Sequence, residues 1–164
     1  MQPIRPESFQ QMPIFGAIRA DALQVLLDQA RSVERPAGGF FFHDGAPANS
    51  MFVLESGRVA VMKAWRGRDF ILNELGPGDC FGEMALMDLQ PRSASVRAQS
   101  ACRAIEFSND DLLHLYERDV EQFALLQMNI GREVCRRLRA TDDLLFRARM
   151  GESQGGPDSF FRPA

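Results

Sequence analysis

The run Phe81-Gly82-Glu83-Met84-Ala85-Leu86-Met87-Asp88-Leu89-Gln90-Pro91-Arg92-Ser93-Ala94-Ser95-Val96 decides how the chain reads. Phe81-Gly82 closes an extended segment. Glu83 to Asp88 has the composition of a single helical turn, with Glu83 at its positive N-terminal end. Pro91 stops any helix, and Arg92-Ser93 leads into a strand-like Ala94-Ser95-Val96-Arg97-Ala98. Free N–H groups at a helix start attract anions. Arg92 adds a planar fork of donors suited to phosphate, and Ser93 adds a hydroxyl. Glu83 is itself an anion, so a bare phosphate cradle does not explain it. A ligand carrying a phosphate beside a hydroxyl that needs an acceptor does, and a nucleotide ribose is such a ligand.

Outward from this stretch, the chain changes character three times. Met1 to Pro13 carries Pro3, Pro6 and Pro13 and reads as a flexible N-terminal arm. Ala22, Leu23, Leu26, Leu27 and Ala30 then share one helical face. From Val33 to Phe107 the signals are short strands and tight turns. Phe40–His43, Asn49–Glu55, Arg58–Lys63, Phe70–Leu75, Ser93–Ala98 and Cys102–Phe107 read as strands, and Cys80-Phe81 leads into the stretch quoted above. Ser56-Gly57 reads as a hairpin turn and Trp65 to Asp69 as a loop. About eight such strands predict a mainly β fold, a jelly-roll or sandwich, with flanking helices. Ser108-Asn109-Asp110-Asp111 has the spacing of a capping box for a helix to about Tyr116. Val120 to Arg149 then keeps helical periodicity without a proline. Ile130, Val134, Leu138, Thr141 and Leu145 step down one face of it. Residues 150–164 are rich in Gly, Pro and Ser and read as a disordered tail.

The bulk properties narrow the function. The 164 residues allow one domain with a proper core. A net charge of −3 and a pI near 5.4 give no general attraction to nucleic acid. Three separated cysteines, Cys80, Cys102 and Cys135, do not make a disulfide framework and suit a reducing, cytoplasmic compartment. No apolar run approaches a membrane span of about 20 residues, and no signal peptide is evident. His43 and His114 are the only histidines. Neither has a partner at metal-ligand spacing, and no Ser–His–Asp set or Walker loop is visible. The expectation is a protein that is not an enzyme and holds no metal.

Gly-Glu-x-Ala-Leu followed by Pro-Arg-Ser-Ala-Ser-Val resembles the phosphate-binding cassette of the cyclic nucleotide-binding domains. The resemblance is greatest to the sensor domains of the catabolite activator protein (Crp/Fnr) family and covers about Ile14 to Arg149. It implies one cyclic nucleotide-binding domain over 14–149: an eight-stranded β-roll with an N-terminal helix, a short cassette helix and a long C-terminal helix over 120–149. It also implies a ligand, cAMP, with cGMP as runner-up. The ligand-binding residues it implies are Gly82, Glu83, Met84, Ala85, Arg92, Ser93 and Ala94 of the cassette, with Arg137 and Thr141 of the long helix. Glu83 would accept the ribose 2′-hydroxyl. Arg92 and Ser93 would hold the cyclic phosphate, and Gly82 would let its backbone approach the ligand. Arg137 would neighbour Glu83, and the Thr141 hydroxyl would meet the adenine amine. Ala85 and Leu86 suit packing better than contact. Asp142 departs from the small hydroxyl residue that follows in the related sensors, so the resemblance does not carry over a base contact from a partner helix.

Haem-binding relatives use Cys or His near the cassette. Cys80 reads as a core thiol and no histidine is close in sequence, so no haem is expected. The related transcription factors continue into a helix-turn-helix domain where this sequence ends. The expectation is therefore a sensor without sequence-specific DNA binding. Its partners would be a cyclic nucleotide, a possible protein effector and a second copy of the chain. The copies would pair through Val120 to Arg149 with Ile130, Val134, Leu138 and Leu145 at the seam. Arg136, Arg137 and Arg139 oppose that seam unless turned outward or paired with Glu133 and Asp142. The competing reading is a dimerisation or interaction module that keeps the fold and binds no nucleotide.

Overall fold

The structure is a computed structural model. It describes residues 9–150 in full and the backbone of 162–163. Its strands are β1 (Arg31–Arg35), β2 (Phe40–Phe42), β3 (Ser50–Ser56), β4 (Val59–Trp65), β5 (Arg68–Leu75), β6 (Cys80–Phe81), β7 (Ser95–Ala98) and β8 (Cys102–Ser108), with a two-residue β9 (Arg162–Pro163). Helices are α1 (Ala20–Gln29), α2 (Met84–Asp88), α3 (Asn109–Arg118) and α4 (Val120–Arg149), preceded by a 3₁₀ turn at Pro13–Phe15. One antiparallel sheet has the order β1-β8-β3-β6 and the other β2-β7-β4-β5-β9. This is the expected mainly β roll with an N-terminal helix, a short cassette helix and a long C-terminal helix.

β3 sits at the centre because its sequence is apolar on both faces. Met51 and Val53 point to a core made with the helices. That core holds Leu23 and Leu26 of α1, Leu112 and Leu115 of α3, and Leu126 and Ile130 of α4. Phe52 and Leu54 point the other way, to a core between the sheets with Phe41, Val59, Leu75, Phe81 and Val96. A strand buried on both sides reads as a continuous apolar run rather than an alternating one. Burying each such side chain is worth about 1.5–3 kcal/mol.

Three local expectations change. Ser56-Gly57 is not a hairpin turn, because β3 and β4 lie in different sheets. The chain crosses there with Gly57 at φ 92°, and a Cβ would lie 2.5 Å from the Ala101 carbonyl oxygen. Only glycine fits. Trp65 to Asp69 is not a loop. β4 and β5 run to a two-residue turn at Arg66-Gly67, whose φ values of 51° and 75° suit a tight hairpin. The arm over 1–13 is anchored at its described end, since Phe9 is buried and packs edge-on against Phe15; residues 1–8 lie outside the described residues. So do 151–161 and 164 of the tail. The backbone of Arg162–Pro163 pairs with Ile71 and Phe70.

The helical layer is tied to the chain start by polar bonds as well as packing. Ser108 and Asp111 form the full capping box at α3. Asn129 is buried on α4, and its amide donates to the Ile14 carbonyl at 3.1 Å and the Gly16 carbonyl at 2.8 Å. The Gln122 side-chain oxygen accepts from the Arg19 N–H at 2.8 Å. The first half of α4 is thereby fixed to the 3₁₀ turn and to α1. Asn129→Ala leaves two carbonyls unpaired and should cost about 1–3 kcal/mol. The urea midpoint should fall with the slope unchanged; an unchanged midpoint would show the bonds to be dispensable.

Candidate functional site

A cavity of about 290 Å³ lies between the cassette, β4–β5 and the second half of α4. This is at the lower end of small-ligand sites, about 300–1,000 Å³. All nine residues named from the sequence line it: Gly82, Glu83, Met84, Ala85, Arg92, Ser93, Ala94, Arg137 and Thr141. Phe42, Val61, Leu72, Asn73, Ala140 and Leu144 line it too. These carry no motif. Val61 lies on β4, Leu72 and Asn73 on β5, Phe42 on β2, and Ala140 and Leu144 on α4, so only the fold brings them together.

α2 is one turn long and begins directly after Glu83. Leu89 ends it in a left-handed conformation, φ 57°. That reversal, with Pro91, sends the chain back beside Gly82. Arg92 is then pinned by backbone bonds in both directions: its N–H donates to the Ala46 carbonyl, and its carbonyl accepts from the Gly45 N–H.

The Arg92 guanidinium is the most constrained group here. The residue is 5% exposed. Nη1 donates to the Gly82 carbonyl at 3.0 Å and Nη2 to the Ser50 hydroxyl at 3.2 Å. Phe42 stacks beneath it, with Cζ 4.1 Å from the ring centre, a favourable cation–π arrangement. Nε has no hydrogen-bond partner. Burial pulls the guanidinium below its ordinary pKa, while Glu106 and Glu83 oppose that shift; it remains a cation. Gly82 makes the slot possible. Its φ is 78°, and a Cβ would come 2.5 Å from Arg92 Nη1 and 3.2 Å from the Phe42 ring.

Glu83 is 3% exposed. Its Oε1 accepts from Arg137 Nη1 at 3.0 Å. Burial raises its pKa, and the Arg137 charge only partly opposes that. Arg137 spends its other donors on the Cys80 carbonyl at 2.6 Å and on Glu133 at 2.9 Å. It is a strut from α4 to the cassette, with the carboxylate buried and the guanidinium partly open to solvent. A carboxylate accepts about four hydrogen bonds, so Glu83 keeps capacity for a ligand hydroxyl.

Ser93 is exposed, and its hydroxyl lies 3.9 Å from the Met84 sulfur. The Thr141 hydroxyl donates to the Arg137 carbonyl at 3.0 Å, one turn back in its own helix. Its oxygen can still accept. Ala85 and Ala94 are buried walls. Cys80 is buried, with its thiol pushed up to about 12 by burial first and Glu83 second, so it is inert near neutral pH. All three cysteines are free. Among the described residues there is no cluster of three or more metal-capable side chains. No helix there is long and apolar enough to cross a membrane.

What the pocket can do follows from these groups. It offers a buried cation at its wall, a carboxylate held in place by a strut, a glycine backbone beside it and an apolar slot under the second half of α4. Those features suit an anion attached to a polyol and a flat apolar group.

Comparison with known proteins agrees with that chemistry. Residues 32–119, more than half the chain, match the family model described as cyclic nucleotide-binding domain. A CRP-like cAMP-activated global transcriptional regulator of Mycobacterium tuberculosis is 30% identical over 138 residues, 81% of this chain and 60% of the regulator. The chain thus spans about 60% of the length of that relative. The catabolite activator protein of Thermus thermophilus superposes with a TM-score of 0.71 at 29% identity, over 83% of this chain and 64% of that one. A cyclic nucleotide-binding domain from Methylobacillus flagellatus shares the fold, with a TM-score of 0.77 at 20% identity over 92% and 83%. These relatives bear regulatory names, not names of enzymes. By the cassette and by the extent of these matches, the chain belongs to the cyclic nucleotide-binding domain family and is similar to the sensors of the catabolite activator proteins.

Proposed function

We propose that this chain is a cyclic nucleotide sensor whose ligand is cAMP, with cGMP as the alternative, and that it is not an enzyme. The observation that carries this reading is Arg92: a buried cation with a free Nε–H, set against Gly82 at the wall of the cavity. Burying a guanidinium without an anion costs several kcal/mol. A cyclic phosphate would offset that cost. Ser93 would add a hydroxyl, and Glu83 would accept from the ribose 2′-hydroxyl. Gly82, Met84, Ala85 and Ala94 would shape the wall around the sugar and phosphate. Arg137 would hold Glu83, and Thr141 would meet the base. A cAMP-activated relative supports the choice of ligand. The reading as a nucleotide-free module leaves the buried Arg92 unexplained.

Transmission would run through α4. Its first half is fixed in the chain's own core through Gln122, Leu126, Asn129 and Ile130. Its second half meets the roll through the Arg137 strut and the cavity. Leu138, Leu144, Leu145, Phe146 and Met150 are half or more exposed there. Ligand would bias the position of this half, a population shift read by a partner. That partner would be a second copy of the chain in parallel, or an effector protein. Ile130 is spent inside the subunit, so the seam would begin near Leu138. The arginines are less of an obstacle than their number suggests: Arg136 pairs with Glu133, and Arg137 with Glu83 and Glu133. No sequence-specific DNA binding is expected of these residues alone.

Three measurements test this. Arg92→Ala should weaken cAMP binding by about 2–4 kcal/mol, and Arg92→Lys should recover only part, because an ammonium cannot form the fork. Unchanged binding in Arg92→Ala removes the assignment. The second test is pH. A raised carboxyl pKa means that Glu83 protonates earlier on acidification than an ordinary glutamate, and the protonated form is the weaker acceptor. Affinity for cAMP should therefore fall on acidification from a higher pH than an ordinary glutamate would set, and by more than affinity for 2′-deoxy-cAMP, which loses only the Arg137 strut. Parallel losses for both would show that Glu83 does not read the ribose. The third test is association. Wild type should sediment as a dimer at micromolar concentration and Leu138→Glu as a monomer. A monomeric wild type, with and without cAMP, leaves α4 as a docking surface for another protein.

A further inference from the structure

The phosphate and ribose ends of the cavity use Gly82, Glu83, Arg92 and Ser93. The remaining end is walled by Val61, Leu72 and Asn73 of the sheet and by Ala140, Thr141 and Leu144 of α4. It is apolar except for two neutral groups, and the bonds each already makes fix what it has left to offer. Asn73 Oδ1 accepts from the Glu74 N–H at 2.9 Å. A backbone N–H can only donate, so the atom facing it is the amide oxygen and the orientation of the amide is settled. Nδ2 remains, with no hydrogen bond among the described residues, as a donor. The Thr141 proton goes to the Arg137 carbonyl, so its oxygen remains as an acceptor.

The register explains why Asn73 is there at all. Val61 pairs with Asn73, whereas Met62 pairs with Ile71, so Leu72 is the extra residue of a β-bulge. A bulge re-aims side chains next to a site. Here two successive residues, Leu72 and Asn73, line the same cavity. One supplies an apolar surface for a flat ring and the other a donor at its edge.

Given the cyclic nucleotide reading above, we propose that Asn73 is a specificity-determining residue for the base. Its Nδ2–H donates to N7 of an adenine whose N6 amine is accepted by Thr141. Adenine presents an acceptor, N7, beside a donor, the N6 amine; guanine presents two acceptors, N7 and O6, on the same edge. One donor and one acceptor on the protein complement adenine. Guanine would set O6 against the Thr141 lone pairs and would force the hydroxyl to abandon the Arg137 carbonyl. The cavity is therefore biased to an adenine ligand from the sheet side as well as from α4.

The test is competition binding of cAMP and 7-deaza-cAMP, which lacks the N7 acceptor, to wild type, Asn73→Leu and Asn73→Asp. Wild type should prefer cAMP by about 3–10-fold, the worth of one neutral hydrogen bond. In Asn73→Leu the two ligands should bind equally. Asn73→Asp keeps the acceptor for the Glu74 N–H and replaces only the donor, so it holds the fold and should bind the 7-deaza ligand at least as well as cAMP. Equal binding of the two ligands by wild type, or an unchanged preference in Asn73→Asp, overturns the assignment of Asn73 and leaves the site otherwise intact. If wild type binds neither ligand, the cyclic nucleotide reading fails and this inference with it.

Discussion

The buried guanidinium of Arg92 is the constraint around which the site is built. A cation that is 5% exposed has to be held by something. Here it rests on the Phe42 ring, the Gly82 carbonyl and the Ser50 hydroxyl, with Nε unsatisfied. Each support belongs to a different part of the roll. Phe42 is on β2, Ser50 opens β3, and Gly82 sits between β6 and α2. The left-handed Leu89 and Pro91 bring Arg92 to meet them. Gly82 is fixed by the same requirement, because a Cβ there would collide with the guanidinium. The aromatic cluster of Phe41, Phe42, Phe52 and Phe81 gives the slot its rigid floor. The guanidinium is thus held in place by the fold itself.

The second organising element is α4, which serves two regions with one surface. Its first half is a core helix, locked by Ile130, Leu126 and the Asn129 bridge to the chain start. Its second half carries the Arg137 strut and then leaves large apolar side chains in the open. The helix is thus anchored in the core at one end, touches the pocket near its middle and ends in an exposed apolar arm. Glu83 joins the two regions, since the carboxylate that lines the cavity also accepts from Arg137 of the helix.

Much of this was legible in the sequence because it is local. The cassette residues lie within a dozen positions of one another, so Gly82, Glu83, Arg92 and Ser93 could be named together. The capping box at Ser108 and the uninterrupted period of Val120 to Arg149 set the two C-terminal helices. What the sequence hid depends on pairing between distant strands. β1, Arg31–Arg35, has no apolar alternation, because it is a polar edge strand against β8. Ser56-Gly57 has hairpin chemistry, yet the chain changes sheets there, and only the contact of Gly57 with Ala101 and Cys102 shows why. Asn73 could not be found at all. Its place in the cavity comes from a bulge, and a bulge is a property of the register between two strands.

The family of the chain rests on its matches, but the role of this pocket rests on whether Arg92 meets a cyclic phosphate. Titration calorimetry of the wild type against cAMP, 5′-AMP and adenosine tests that most directly. Saturable cAMP binding near micromolar, about −8 kcal/mol, with adenosine and 5′-AMP at least tenfold weaker, is the expected result. No heat with cAMP, or adenosine binding as well as cAMP, would show that the buried guanidinium does not serve a cyclic phosphate.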